Sequence, residues 1–389
     1  MLRTLAPTAA PLGLQNILAG LLAAGRSETF EAALAERFGG GQAYGVYSGR
    51  VALRLILETI RQGNGRQEVI IPAYSCPDLV TATLAAGLRP VFCDVDPHTL
   101  DFDEETLWRL LGDHTLAVIH VHLFGLPRPT PQLAELSQAA GAILVEDACQ
   151  ALGARWGGRP VGTLTEIGCA SFGHGKPLSL GGGGVIFVQH ERWRPAVAGR
   201  VDALPQPRRL ATAATWGRLA LLELLMRPTG YWLATRFRLR WPAGDERQWT
   251  HPLQRLSSLQ AAIGLRALPH LARLNAARRQ VGQALTAALA GVPHLRLMAA
   301  PAAAEPIYLR FPILLEDPGR RDLLLARLWT IGVEASKMYP RALPQYFPHL
   351  PAGRCPGAEM VAQRLVTLPT HPFVQAADVG RMVAVFSEM

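Results

Sequence analysis

Short apolar runs alternate with helical patterns from about residue 43 to residue 190. The apolar runs are rich in valine and isoleucine, and helical stretches begin after Gly49, Cys76, Asp103 and Pro131. Continuous apolar strands separated by helices are typical of a mostly parallel sheet covered on both faces, with ligands bound beyond the carboxyl ends of its strands. The predicted strands are AYGVY (43–47), EVIIP (68–72), PVFCDV (90–95), TLAVIHV (115–121), AILVED (142–147), IGCASF (167–172) and GVIFV (184–188).

The pattern changes twice after this region. Residues 191–250 interrupt the alternation, and a helical pattern resumes near residue 256. Strands are then predicted near 306–314 and 332–336, and helices near 319–331, 356–366 and 376–387. We therefore predict an α/β protein whose large domain, residues 1–255, carries a mostly parallel seven-stranded sheet and an insertion at 191–250. A smaller α+β domain is predicted over residues 256–389.

The basic residues are uneven in type. The 389 residues carry a net charge of +9, and 37 of the 39 basic residues are arginines, which leaves Lys176 and Lys337. An amine can form an imine with a carbonyl compound, whereas a guanidinium cannot. The two lysines are therefore the first candidates for amine chemistry, with ordinary lysines of no special role as the alternative.

The insertion concentrates the positive charge, with 11 arginines against five acids and with several tryptophans. Within residues 206–241, arginines flank an apolar centre at 219–226, which is suited to a helix lying in a lipid headgroup layer. We predict a peripheral membrane or partner-docking element here, with packing on the protein's own dimer surface as the alternative. The centre is too short to span a bilayer, and residues 228–230 break any longer helix. Because no nucleic-acid fold signature accompanies the arginines, we expect no nucleic-acid binding.

Other features exclude further classes of protein. The five cysteines form no C-x-x-C pair, so we expect a reduced, cytoplasmic protein without disulfides or a metal site. The first 25 residues resemble a signal peptide only weakly, because Gln15 and Asn16 interrupt the apolar run. We expect His120 and His122 to face opposite sides of one strand, which does not suit a shared metal.

The segment SFGHGKPLSLGGGG (171–184) presents Lys176 in a glycine-containing turn after a predicted strand. An amine at a strand's carboxyl end, where the backbone can approach closely, suits the covalent attachment of an aldehyde cofactor. The lysine precedes the glycine run, so the segment is not a Walker loop. A surface turn is the alternative.

Two more loops follow predicted strands. VEDACQALGA (145–154) places two acids at the end of a buried strand, where a carboxylate needs a partner. Asp147 beside a pyridinium nitrogen would keep such a ring protonated, and an acid pair at a helix N-terminus is the alternative. VYSGRVAL (46–53) runs through Ser48 and Gly49 into a helix. That helix N-terminus suits a phosphate, with an ordinary helix cap as the alternative.

Together these loops resemble the DegT/DnrJ/EryC1/StrS family of pyridoxal-phosphate-dependent sugar aminotransferases. The resemblance covers nearly the whole chain apart from 191–250, and it implies an aspartate-aminotransferase-like fold (PLP fold type I) and a homodimer with sites at the subunit interface. The further segments that carry it are EVIIPAYSCPDL (68–79), RPVFCDVDPHTLDFD (89–103), IHVHLFG (119–125), GRPVGTLTEIGCASF (158–172), RLSSLQAAIGL (255–265), IGVEASKMYP (331–340) and CPGAEMVAQRLVTLPTHP (355–372).

The resemblance also implies site residues. It makes Lys176 the lysine that binds pyridoxal 5'-phosphate and Asp147 the acid on its ring nitrogen, and these are the candidate catalytic residues. The other implied cofactor contacts are Gly49, Arg50, Cys76, Gln150 and Ser171. The residues expected near the substrate are His174, Arg255 and Tyr339.

Three positions depart from the family pattern. Arg50 replaces a threonine, and its side chain either adds a phosphate contact or points to solvent. Cys76 stands where the family has an aromatic that stacks on the cofactor, with Tyr74 nearby. Leu253 stands where the neighbouring subunit usually lends an asparagine. We therefore expect the substrate pocket to differ from those of the best-known members.

The intact Lys176 favours transamination, because some relatives that dehydrate their substrates carry histidine at this position. The resemblance implies L-glutamate as amino donor and a nucleotide-linked keto sugar as acceptor, in polysaccharide or glycoconjugate biosynthesis. One alternative is a lipid-linked or non-sugar ketone. Another is a catalytically idle relative that regulates or binds a partner through residues 191–250. We expect a cytoplasmic enzyme, peripheral at the inner face of the membrane if that segment docks there.

Overall fold

The computed structural model describes residues 2–22, 27–39, 41–237, 251–298 and 300–388. Its main sheet is formed by β1 (Gln42–Val46), β2 (Glu68–Pro72), β3 (Arg89–Cys93), β4 (Thr115–Val121), β5 (Ile143–Asp147), β8 (Ile167–Ser171) and β9 (Gly184–Val188), with two short strands, β6 (Arg155–Trp156) and β7 (Arg159–Pro160), between β5 and β8. The order across the sheet is β1-β9-β8-β5-β4-β2-β3. Only β9 runs against its neighbours in this seven-stranded sheet. All seven predicted strands form within two residues of their predicted bounds.

Helices cover both faces of this sheet. The helices up to the end of β5 are α1 (Leu14–Leu22), α2 (Ser27–Arg37), α3 (Gly49–Arg61), α4 (Asp78–Ala85), α5 (Glu104–Leu110) and α6 (Pro131–Ala139). Strand β4 is buried at every position, as expected for a strand between two helical layers. Helix α3 packs against β8 and β9, which brings its N-terminus to the edge of the sheet where β5 and β8 end.

The insertion begins with three helices, α7 (Arg194–Asp202), α8 (Arg209–Leu225) and α9 (Pro228–Arg236). The predicted break at residues 228–230 is confirmed, because α8 ends before Pro228 and α9 begins there. Of the insertion's arginines and tryptophans, Arg238, Arg240, Trp241, Arg247 and Trp249 lie outside the described part of the chain. No helix among the described residues is both long and apolar enough to cross a membrane.

The C-terminal part is α+β. Its helices are α10 (Ser258–Ala267), α11 (Leu271–Leu289), α12 (Arg320–Thr330), α13 (Leu343–Tyr346), α14 (Pro356–Arg364) and α15 (Ala376–Ser387). Three antiparallel strands, β10 (Leu295–Leu297), β12 (Phe311–Leu315) and β13 (Leu365–Leu368), form its sheet, while β11 (Ala304–Glu305) pairs with β6. Helix α10 packs on α1 and α2, and the predicted domain boundary at residue 255 stays a prediction.

The strand predicted at 332–336 is wrong. Val333 and Ser336 make only isolated bridges. Gly332, which follows α12, adopts a left-handed φ of 75°. The third strand of this sheet is β13, whose first residues fall within the helix predicted at 356–366. Helix α14 ends at Arg364, and the apolar residues that follow it are buried as a strand.

Residues 3–9 tie the N-terminal segment to the C-terminal part and to the loop that holds Lys176. Leu5 bridges Val333, and the His371 ring donates from Nε2 to the carbonyl oxygen of Ala6 over 2.9 Å. The fully buried guanidinium of Arg278 donates to the carbonyl oxygens of both Ala9 and Pro177 at 3.2 Å. His371 therefore has a structural role, since it holds the N-terminal segment.

Candidate active site

A cavity of about 300 Å³ lies beyond the carboxyl ends of β5 and β8, beside the N-terminus of α3. All seven residues predicted to bind the cofactor line this cavity, and so does His174. A larger cleft, of about 680 Å³, lies beside α10 and α11, but its described lining includes no lysine, histidine, cysteine or serine. The candidate chemistry is therefore concentrated in the smaller cavity.

Lys176 enters the cavity from the turn that follows β8. Gly175 adopts a left-handed φ of 74°, and the Lys176 amide donates to the carbonyl oxygen of Gly173 over 3.3 Å. Burial lowers the pKa of the half-buried lysine, but nearby acidic groups, Cys149 first and Asp147 among them, outweigh burial and raise the pKa overall. The amine of Lys176 and the carboxylate of Asp147 thus lie in one cavity.

The two adjacent acids of β5 face opposite sides of the sheet. Asp147 lines the cavity and accepts a hydrogen bond at Oδ1 from the Cys149 amide over 2.8 Å. Glu146 is fully buried on the other face, where its Oε1 lies 2.9 Å from His122 Nε2 and its Oε2 accepts from the Leu164 amide over 2.7 Å. Turns rather than a helix follow β5, so the interpretation as a helix N-terminal acid pair is wrong. Asp147 alone of the pair is available to a ligand in the cavity.

The N-terminus of α3 forms the opposite wall. Ser48 caps the helix by accepting at Oγ from the Val51 amide over 3.2 Å, so the ordinary cap is real and also faces the cavity. A Cβ atom at Gly49 would lie 2.8 Å from the Cys149 sulfur and 2.9 Å from Ser171 Cβ. Only glycine lets the helix approach these side chains so closely. The result is an N-terminus whose amides are presented next to a buried serine, an arrangement suited to a phosphate.

Arg50 does not point to solvent. Its side chain is buried, lines the cavity and forms an ion pair with Asp78, which lines the same wall. Of the two orientations considered from the sequence, the structure therefore has the inward one.

Gln150 connects the cavity to a buried tyrosine. It accepts at Oε1 from the Phe124 amide and donates from Nε2 to the Tyr339 hydroxyl, both at 3.0 Å. Tyr339 is buried behind the cavity lining, and it shares a side-chain hydrogen bond with Cys76. Tyr74 is fully buried against the Tyr339 ring and does not line the cavity, so it does not substitute for the stacking aromatic that Cys76 replaces.

Arg255 lies away from the cavity. Its guanidinium faces carboxylates of Glu28, Glu31 and Asp202 at 3.3 to 4.0 Å. Its position in this chain gives no support to the predicted substrate contact, which stays a prediction. Leu253 is half-buried and packs against the main core.

The histidines singled out in the sequence lie in two places. His174 lines the cavity, and burial of part of its ring, followed by the charges of Arg218 and Arg310, lowers its pKa. The expectation that His120 and His122 face opposite sides is wrong, because their ring centroids are 4.7 Å apart. Residues two apart on a strand share a face.

Asp147, Cys149 and Cys169 form a group with metal-ligand geometry, since one ligand atom from each lies within 4.8 Å of the others. A hydrogen bond to Cys169 and then burial raise the pKa of Cys149 well above its usual value. Metals bind thiolates, so these protonated thiols are poor ligands. All five cysteines are free.

The lining residues that sequence reasoning missed include two that are basic, Arg218 and His251, and the acidic Asp78. Arg218 comes from α8, and His251 packs edge-on against Tyr47 with ring centroids 6.0 Å apart. Burial, followed by the charge of Arg50, lowers the pKa of His251. Arg218 was only one of several arginines in a basic segment, and nothing in the local pattern distinguished it.

The chain is similar to proteins of known activity. It is 28% identical over 382 residues to the UDP-N-acetyl-3-dehydro-alpha-D-glucosamine 3-aminotransferase of Acidithiobacillus ferrooxidans, covering 96% of this chain and 91% of that protein. It is 30% identical over 369 residues to the dTDP-3-amino-3,4,6-trideoxy-alpha-D-glucose transaminase of Streptomyces venezuelae, covering 92% and 85%.

A solved structure and a family model complete the comparison. The aminotransferase TlmJ of Streptoalloteichus hindustanus superposes with a TM-score of 0.79 at 26% identity, over 99% of this chain and 98% of that one. The expected aspartate-aminotransferase-like fold, PLP fold type I, is thereby confirmed. The model of the DegT/DnrJ/EryC1/StrS aminotransferase family matches residues 16–199 and 242–387. The amine and carboxylate at the ends of β8 and β5 thus lie in a known enzyme framework, and the chain belongs to the DegT/DnrJ/EryC1/StrS aminotransferase family.

Proposed function

We propose that this chain is a pyridoxal-phosphate-dependent aminotransferase that moves an amino group, from L-glutamate, to a nucleotide-linked keto sugar. The observation that carries the proposal is the convergence of Lys176, Asp147 and the N-terminus of α3 on one cavity. An amine, a carboxylate and a phosphate site in one place are what this cofactor requires.

The residues of the cavity fit the cofactor. Because Gly49 has no Cβ, the amides at the N-terminus of α3 stay accessible to a phosphate. Ser171 lies beside them in the same lining. Asp147 would hold the ring nitrogen, Gln150 the ring hydroxyl, and Arg50 would add positive charge near the phosphate. Cys76 would contact the ring through a thiol in place of an aromatic face.

When bound, pyridoxal phosphate supplies an aldehyde and a ring that accepts electrons. Lys176 Nζ would attach it and would later carry the proton at the α-carbon of the substrate, as a base positioned by the turn at Gly175. Asp147 would keep the ring nitrogen protonated, and its burial together with the Cys149 amide contact fixes its orientation.

The names of the relatives support the acceptor class. Both relatives described above act on ketones or amines of sugars carried by a nucleoside diphosphate. A lipid-linked or non-sugar ketone remains the alternative acceptor, because Cys76 and Leu253 depart from the family pattern. A catalytically idle relative would bind the cofactor without turnover.

Stepwise absorbance measurements test the proposal. The purified protein should be yellow, L-glutamate should bleach the cofactor band, and addition of a UDP-, dTDP- or GDP-linked keto sugar should restore it. If only free or lipid-linked ketones restored the cofactor band, the acceptor would be a ketone of that kind and not a nucleotide-linked sugar. A band that L-glutamate and other amino donors leave unchanged would favour an idle binding protein.

We further infer a cytoplasmic homodimer from the family resemblance, in a polysaccharide or glycoconjugate pathway. In support of an assembly, Leu221 and Leu224 of α8 and Leu233 of α9 remain about half exposed, and Phe237, which follows α9, is 69% exposed. We assign this outer face to contact with a second copy of the chain. Binding of the same face to an anionic membrane is the competing outcome.

A further inference from the structure

Helix α8 is a part of the chain that the family match leaves out. The match ends at residue 199 and resumes at 242, whereas α8 spans Arg209–Leu225. A contribution of α8 to the cavity therefore lies outside the part of the chain that the family model matches.

Packing fixes α8 against the cavity wall. Leu219 and Leu222 are buried, and a Cβ at Gly181 would lie 3.0 Å from Leu219 Cγ, so the helix rests directly on the glycine run after Lys176. On the same side, the buried Glu223 accepts at Oε2 from the Leu12 amide over 2.9 Å. These contacts hold the inner face of α8 in one orientation.

That orientation brings Arg218 to the cavity. Arg218 lines the cavity together with His174, Lys176 and the glycines 181–183. Arg218 is itself an exposed residue. Lys176 is half-buried and Asp147 is buried, so the guanidinium lies nearer to solvent than the reacting amine. The positive charge of Arg218 also contributes to the lowered pKa of His174, after burial, which indicates that the two side chains are close.

We propose that Arg218 binds the diphosphate of the nucleotide-linked acceptor at the mouth of the cavity, an inference that rests on the function proposed above. The ketone must reach Lys176, while the nucleotide is too large for a cavity of about 300 Å³ that also holds the cofactor. The charged link between sugar and nucleoside therefore crosses the mouth, where Arg218 lies. A guanidinium matches phosphate oxygens with paired donors.

The charges of the lining agree with an anionic ligand. The lining holds two arginines, Arg50 and Arg218, and the amine of Lys176, against the two carboxylates Asp78 and Asp147. The cofactor phosphate is assigned to the α3 wall, on which Arg50 lies. Arg218 is carried by a separate wall, formed by α8, so the lining has a second place of positive charge apart from the α3 wall.

The experiment compares Arg218→Ala and Arg218→Lys with the wild type in two separate half-reactions of the holoenzyme. The control is Arg236→Ala, an exposed arginine of α9 that does not line the cavity. We expect Arg218→Ala to raise KM for the nucleotide-linked ketone about 10- to 100-fold, as expected for lost hydrogen bonds to a charged group. The half-reaction with L-glutamate should be unchanged, and Arg218→Lys should recover part of the loss. UDP, dTDP and GDP titrated by calorimetry should show the same loss of affinity.

The outcomes separate the two proposals. If the wild type uses a nucleotide-linked ketone and Arg218→Ala leaves its KM unchanged, this inference is wrong and the proposed function stands. A loss confined to L-glutamate makes Arg218 a carboxylate-binding residue and also overturns the inference. If the wild type uses only ketones without a nucleotide, the proposed acceptor class fails and the inference fails with it.

Discussion

The cavity at the strand ends and the helical segment α8–α9 differ in how their polar groups are held. In the cavity, Asp147, Ser171 and Gln150 are buried, and each takes part in hydrogen bonds within the chain. On α8 and α9, Arg218 and Arg236 are exposed and Leu221, Leu224 and Leu233 are about half exposed, whereas Leu219, Leu222 and Ala234 are buried. Fixed polar groups suit chemistry on a bound cofactor, whereas exposed basic groups suit binding of a variable, charged ligand or surface.

Removal of the Lys176 amine from the cavity should give the largest effect on activity. Lys176→Ala should lower turnover on the order of 10³-fold, because the cavity offers no other amine to attach the cofactor or carry the proton. Overall transamination is the measurement. The matched control is Lys337→Ala, since Lys337 forms an ion pair with Asp322 at 2.7 Å in the C-terminal part and should be dispensable. Borohydride labelling of a Lys337 peptide instead of a Lys176 peptide would contradict the assignment.

The next effect concerns the carboxylate of the same cavity. Asp147→Asn should keep the cofactor but lower turnover roughly 10²-fold, because an amide cannot hold the ring nitrogen protonated. The amide oxygen can still accept from the Cys149 amide, so the local fold should persist. Cofactor absorbance and steady-state rates are measured together, with the exposed Asp202→Asn as control. Turnover near that of the wild type would mean that Asp147 does not serve the ring, and the orientation of Glu146 leaves no substitute.

A smaller effect is expected at the phosphate site. Ser171→Ala should weaken cofactor affinity by about 1–2 kcal/mol through loss of one hydrogen bond to phosphate, with kcat little changed at saturating cofactor. Equilibrium dialysis of the cofactor measures this. Ser179→Ala is the control, since Ser179 is a buried serine outside the cavity lining. Equal affinities of the two variants would place the phosphate elsewhere.

The smallest effect tests the outer face of α8. Leu221→Ser and Leu224→Ser should each weaken self-association by about 1 kcal/mol, because each leucine is already half exposed in the single chain. Sedimentation velocity over a range of concentrations measures the association. We expect the protein to stay in the supernatant with anionic vesicles at low and high salt. Salt-sensitive co-sedimentation that the leucine variants abolish would assign this face to a membrane.

The same comparison explains what the sequence could predict. The seven strands follow from continuous apolar runs, and Lys176 and Asp147 follow because parallel strands end at one edge of the sheet. Arg218 could not be selected among the insertion's arginines, because its position depends on the packing of Leu219 on Gly181. The strand at 365–368 was hidden because its apolar residues continue the helical pattern of α14. The separation of Glu146 from Asp147 was available from strand alternation, but their roles required the partners.

The contacts of residues 3–9 affect the order in which parts of the protein can fold. Leu5 and Ala6 are held by Val333 and His371, residues more than 300 positions later in the chain. Arg278 joins Ala9 to Pro177, the neighbour of the reactive lysine. During synthesis the sheet can form well before these contacts can. Because distant contacts form slowly, we expect the lysine loop to gain its final support late in folding, after the main core has been buried.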